Sequence, residues 1–169
     1  MSKVIRPACT LMISMPRTIP ATAFFINDCT YSTLASRGSD NNGPNRAGYS
    51  FQNVSGISVN GCGAEQNING AFQATSDGTA GTVTGVRGLV LTGCFSYSNG
   101  TAAGFPSLIN CVSTVTGQHI KVTLIGCTDK TSGGISVTSN NTGTTVLTIG
   151  CDLSGTTNAV NGGVITNLA

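Results

Sequence analysis

Charge is what this 169-residue chain lacks most: eight Lys and Arg and six Asp and Glu make up 8% of it, against about 25% in an average soluble protein. Helix surfaces draw on Lys, Glu and Arg for propensity and solubility, so their scarcity argues against a helical protein. The eight basic residues never form a run and the net charge is only +2, which leaves no electrostatic footprint for nucleic acid or an anionic membrane. Long apolar runs are missing too. No stretch approaches the ~18 residues that span a bilayer, and Thr10 to Met15 is too short for the apolar region of a secretion signal. No insertion into a membrane is therefore expected. Tryptophan is absent, histidine occurs once, and none of the seven cysteines falls in a CxxC or Cys/His cluster, so neither a zinc site nor any other metal or cofactor is expected.

What is present is Gly, Thr, Ser and Asn in abundance, with 23 glycines, and aliphatic residues in short regular runs. Those residue types suit strands and tight turns. A chain this polar and glycine-rich invites comparison with disordered segments, but its recurrent aliphatic runs supply apolar surface to pack. The length fits one domain.

The runs repeat. Five segments align on a cysteine: FFINDC (Phe24 to Cys29), ISVNGC (Ile57 to Cys62), LVLTGC (Leu89 to Cys94), VTLIGC (Val122 to Cys127) and VLTIGC (Val146 to Cys151). The positions five and three before each cysteine are apolar in all but Thr148, the period-2 alternation of a strand with one buried face. The residue before each cysteine is Asp28, Gly61, Gly93, Gly126 or Gly150, types that tolerate a left-handed backbone, so the chain is expected to bend there. Beyond the bend, Cys and the residue two further on (Tyr31, Ala64, Ser96, Asp129, Leu153) are expected to face inward. A third patch closes each unit: Tyr49 to Phe51, Ala71 to Gln73, Ser107 to Ile109, Ile135 to Val137 and Val164 to Ile165.

Units of three short strands cannot each close a core, but stacked in register they bury a continuous one. The expected fold is all-β: a right-handed, single-stranded parallel β-helix of about five rungs over residues 21–169, preceded by a lead-in or incomplete rung over residues 1–20. An antiparallel sandwich also has many short strands, but it does not demand one Gly-Cys step at matching intervals. Longer units place loops at Ser32 to Gly48, Ala74 to Gly88 and Asn110 to Lys121. Aligned cysteines on neighbouring strands sit ~4.8 Å apart, farther than the ~3.8 Å Cβ separation of a disulfide. A reduced thiol ladder, at home in a reducing cytoplasm, is the expectation.

From Gly48 to Lys130, the stretches GYSFQNVSGISVNGCGAEQNING, RGLVLTGCFSYSNG and IKVTLIGCTDK resemble the β-helices of bacteriophage tailspikes and pectate-lyase-like tail proteins, ISVNGCGAE most closely. The resemblance is one of rung style and covers about half of the chain; it carries no catalytic signature. It implies a homotrimer located in the virion tail and made in the host cytoplasm, joined to other tail proteins, that binds bacterial surface polysaccharide and in many members cleaves it. The chain is short for that family, so a fragment or short subunit is expected, with ends left to be capped by something else.

The position three beyond each cysteine gives an outward column of Ser32, Glu65, Tyr97, Lys130 and Ser154. An aromatic ring between a carboxylate and an amine suits a sugar, the ring stacking on C–H faces and the charged groups bonding hydroxyls. An ordinary solvated stripe is the competing reading. Cleavage by a glycosidase needs two carboxylates. Glu65 is the sole glutamate; Asp77 is its candidate partner within the chain, and Asp40 or Asp152 from a neighbouring copy the others, all of them residues that also serve turns. Asp28 has a corner to hold. Asp129 needs hydrogen-bond partners if buried, and it tests the register. His119 has no GxSxG-like serine motif nearby and reads as a surface residue; Arg37, Arg46 and Arg87 read likewise. The functional expectations are, in order, a structural and receptor-binding tail component, a polysaccharide hydrolase or lyase using Glu65, and a bacterial adhesin passenger of similar composition.

Overall fold

A computed structural model describes residues 10–13, 24–40, 47–76, 85–100, 104–114, 118–130 and 134–169. The chain is all-β and winds through three sheets in a fixed cycle. After β1 (Thr10–Ile13), the first coil comprises β2 (Phe24–Asn27), β3 (Thr30–Ala35) and β4 (Gly38–Asp40). The second comprises β5 (Tyr49–Gln52), β6 (Ser55–Asn60) and β7 (Gly63–Glu65). The third has β8 (Phe72–Ser76), β9 (Val86–Thr92) and β10 (Phe95–Tyr97), and the fourth β11 (Ile109–Ser113), β12 (Ile120–Ile125) and β13 (Thr128–Lys130). The fifth has β14 (Ile135–Asn140), β15 (Thr144–Ile149) and β16 (Asp152–Leu153); β17 (Thr156–Val160) and β18 (Val164–Leu168) begin a sixth.

Each strand pairs in parallel with its counterpart one coil away, giving a first sheet β2-β5-β8-β11-β14-β17, a second β3-β6-β9-β12-β15-β18 and a third β4-β7-β10-β13-β16. The exception is β1, antiparallel to β2 at the edge of the first sheet. This is the parallel β-helix expected from the repeat, and five coils have all three strands among the described residues.

Two expectations about register fail, both at the ends of the helix, and with the first of them Tyr31, expected to face inward, is 89% exposed. FFINDC does not stack on the other cysteine segments: β2 pairs with Tyr49–Gln52 in the first sheet, and β3 is the true counterpart of ISVN, with Leu34 opposite Val59. Likewise Val164 to Ile165 is no third-patch strand, because Ile165 lies opposite Val146 in the second sheet. The cause is physical. All three corners use left-handed residues: Asp28 (φ 50) and Asn53 (φ 49) at the first, Ser36 (φ 50), Gly61 (φ 57), Gly93 (φ 57), Gly126 (φ 56) and Gly150 (φ 55) at the second, and Gln66 (φ 55) and Ser98 (φ 50) at the third. Asp28-Cys29 therefore imitates a Gly-Cys step at a different corner. Within the stretch expected to be a loop after Ser32, strands β3 and β4 run through Asp40.

The interior is built of columns. Phe24, Tyr49 and Phe72 stack face to face with ring centroids 4.8 and 4.9 Å apart, and Ile109 and Val137 continue the column. Leu34, Val59, Leu91, Leu124 and Thr148 form the second-sheet column. Small residues fill the narrow third-sheet side: Ser39, Ala64, Ser96 and Asp129 are all buried. At the corner after this sheet an asparagine ladder appears that sequence reading missed. The Nδ2 and backbone N–H of Asn67 donate to Asn99 Oδ1 at 2.9 and 2.8 Å, and Asn99 Nδ2 donates to Ala64 O at 2.7 Å. Its signal was available, since each asparagine lies two residues beyond Glu65 or Tyr97.

Candidate functional site on the third sheet

The chain emerges from the Gly-Cys corner with cysteine inward, so the next residue faces out, the one after in, and the third out. Cys62, Cys94 and Cys127 are buried, with their thiols lying 3.9, 3.5 and 3.4 Å from the carbonyls of Leu34, Val59 and Leu91. Cys62, Cys94, Cys111, Cys127 and Cys151 are free thiols. Cys29, off the column, is disulfide-bonded, which corrects the expectation of a wholly reduced set. Burial pushes the thiols of Cys62, Cys111 and Cys151 up. Cys94 and Cys127 share a hydrogen bond, which holds Cys94 below the ordinary thiol value and drives Cys127 far above it. Cys62, Cys94 and Cys127 pack the corner as buried thiols, and Cys111 is buried on β11 of the first sheet.

The outward column is largely as expected. Tyr97 lies directly opposite Glu65 on one side and Lys130 on the other. Tyr97 is 49% exposed, Glu65 is half-buried and Lys130 exposed. At the head of the column the structure replaces Ser32 with Asp40, the register partner of Glu65; Ser32 belongs to the second sheet, opposite Ile57. Ser154 follows β16, its N–H donating to Asp129 O at 3.3 Å. Lys130 is not free: its Nζ is 2.6 Å from Asp152 Oδ2, and both side chains are exposed.

Phe95 was not anticipated. Two residues before Tyr97 on β10, it faces the same way and is 50% exposed. Its ring occupies the space of the missing side chain at Gly63, where a Cβ would come within 2.0 Å of Phe95 Cε1. Parity alone could have found it, as the first outward position after Cys94.

Other expected residues fall elsewhere. Asp77 and Arg46 lie outside the described residues. Asp129 is fully buried at the expected inward position and keeps the register, with Ser107 and Ser136 hydroxyls each donating to its Oδ2 at 2.5 Å. His119 is exposed just before β12, Arg37 is exposed at the corner between β3 and β4, and Arg87 is exposed on β9 of the second sheet. Among the described residues, no three His, Cys, Asp or Glu side chains are gathered to hold a metal ion, and no helix is long and apolar enough to cross a membrane. The face offers stacking surface and hydrogen-bonding groups on a laddered backbone.

No family model, no curated protein and no solved structure matches the chain.

Proposed function

We propose that this chain is a structural and receptor-binding component of a bacteriophage tailspike or tail fibre, which presents the outer face of its third sheet to bacterial surface polysaccharide. In this reading it assembles as a homotrimer with other tail proteins in the virion. The observation that carries it is the half-exposed ring of Tyr97 held in register between Glu65 and Lys130. Rings stack on the C–H faces of sugars, while carboxylate and ammonium groups bond hydroxyls. A backbone laddered on both sides loses little freedom on binding, which favours recognition of a weak, repetitive ligand.

The test is binding of the chain to a panel of immobilised capsular and O-antigen polysaccharides, with Tyr97→Ala as the comparison. Retention of at least one polysaccharide, weakened by about threefold to tenfold in the variant, is the expected outcome. A panel without any binder, or a variant that binds as well as the parent, overturns the reading.

A depolymerase is the second reading, and one observation favours it. Asp40 and Glu65 are register partners on adjacent strands, so two acidic residues occupy neighbouring coils, and a glycosidase needs two carboxylates. Unchanged cleavage by Glu65→Gln removes that residue from any catalytic part.

A further inference from the structure

We infer that the third-sheet face selects neutral and amino-bearing sugars over acidic ones, and that Phe95 is a second stacking platform beside Tyr97; this rests on the carbohydrate reading above.

Phe95 and Tyr97 are alternate residues of one strand, so their side chains leave the same face about 6.8 Å apart. Both are about half exposed, at 50% and 49%. Leaving two large rings side by side in water forgoes burial that the fold could otherwise use, and such patches mark binding surfaces. Phe95 is also berthed. A side chain at position 63 would collide with its Cε1, Cζ and Cδ1 at 2.0 to 2.6 Å, so the glycine at that position admits the ring across the neighbouring coil. Two fixed rings at this spacing suit adjacent units of a saccharide chain better than a single sugar.

Charge decides the class of sugar. Among the described side chains, Glu65, Lys130 and Asp152 stand around the rings, two anions and one cation, a balance of −1, and the sequence adds another acidic residue, Asp40, in register with Glu65. The cation is already 2.6 Å from Asp152 Oδ2. Glu65 has no cation within ion-pair reach among the described residues, so its carboxylate is open to accept from sugar hydroxyls or to pair with an ammonium group. A uronate or sialate carboxylate meets net like charge here and, among the described residues of this face, no unpaired cation, which disfavours it.

The experiment measures binding of the whole chain to three probe classes immobilised in parallel: neutral polysaccharides, chitosan oligomers, and acidic polymers such as polygalacturonate and polysialic acid. Binding confined to the neutral and amino-bearing probes is expected, with Phe95→Ala and Gly63→Ala each weakening it roughly threefold to tenfold. Asp152→Ala, which releases Lys130, is expected to narrow the discrimination against acidic probes. Preference for acidic probes overturns the selectivity while sparing the carbohydrate reading; binding to no probe overturns that reading itself. Parent-like binding by Phe95→Ala, whose exposed position lets the variant fold, overturns the second platform.

Discussion

Asp129 carries more structural consequence than any other ionisable side chain on the third sheet, because it is fully buried and both its hydrogen-bond partners are side-chain hydroxyls. Ser107 has an alternative acceptor in Ile135 O at 3.3 Å. Ser136 in turn accepts the N–H of Gly155 at 2.8 Å, so removing the carboxylate disturbs three coils. Asp129→Ala is expected to lower stability by about 2–4 kcal/mol, from an unsatisfied buried hydroxyl and a void beside it. Asp129→Asn, which keeps an acceptor oxygen, is expected to lower it by less. Urea titrations of the two variants against the parent measure both. The inward position of Asp129 was legible from its parity after Cys127; its partners were not, since Ser107 and Ser136 approach from the first sheet and no local pattern links them.

At the scale of the strand and corner, legibility was good in the middle of the helix and poor at its ends. ISVNGC, LVLTGC, VTLIGC and VLTIGC stack as their spacing requires. FFINDC failed because a left-handed Asp followed by a small buried residue serves the corner between the first and second sheets equally well. In the first coil the true step is Ser36-Arg37, with Ser36 at φ 50, and it contains neither glycine nor cysteine. The same fact predicts how the glycines differ. A Cβ on Gly61 meets nothing within 4 Å, and serine already occupies the matching position in the first coil, so Gly61→Ala is expected to cost only the left-handed backbone penalty of about 1–2 kcal/mol. Gly85 has φ +78 and a Cβ there would lie 2.3 Å from His119 O. Gly85→Ala therefore adds a clash with backbone to the same penalty and is expected to cost clearly more. Thermal unfolding of the pair gives the ordering, and equal losses would mean that the close approach of Gly85 to β12 is relieved at little cost.

Across the whole molecule, the stacked columns tie stability to pH. The site column was legible for Glu65, Tyr97 and Lys130 because parity propagates from coil to coil; Asp40 and Phe95 were hidden, the first behind the misplaced initial coil and the second because no charge drew attention to it. The same propagation gathers protonated groups in the core. Burial pushes Cys62, Cys111 and Cys151 up from the ordinary thiol value of 9.0. Cys127 is raised mainly by its hydrogen bond with Cys94, and burial raises Tyr49 above its ordinary 10.0. Each holds its proton in the folded state at a pH where the unfolded chain has released it. Above the unfolded thiol value the native state therefore binds more protons, and stability falls as pH rises. Cys94 is lowered by the same shared hydrogen bond and acts in the opposite sense, one group against five. Stability is thus expected to be level from neutral pH to about 8.5 and to decline beyond it, through the window where free thiols and then tyrosine ionise. Unfolding followed at several pH values on the parent and on Cys111→Ala separates the contributions. The variant starts lower through its cavity but declines less steeply, and an unchanged slope would show that the buried thiol of Cys111 takes no part in the alkaline loss.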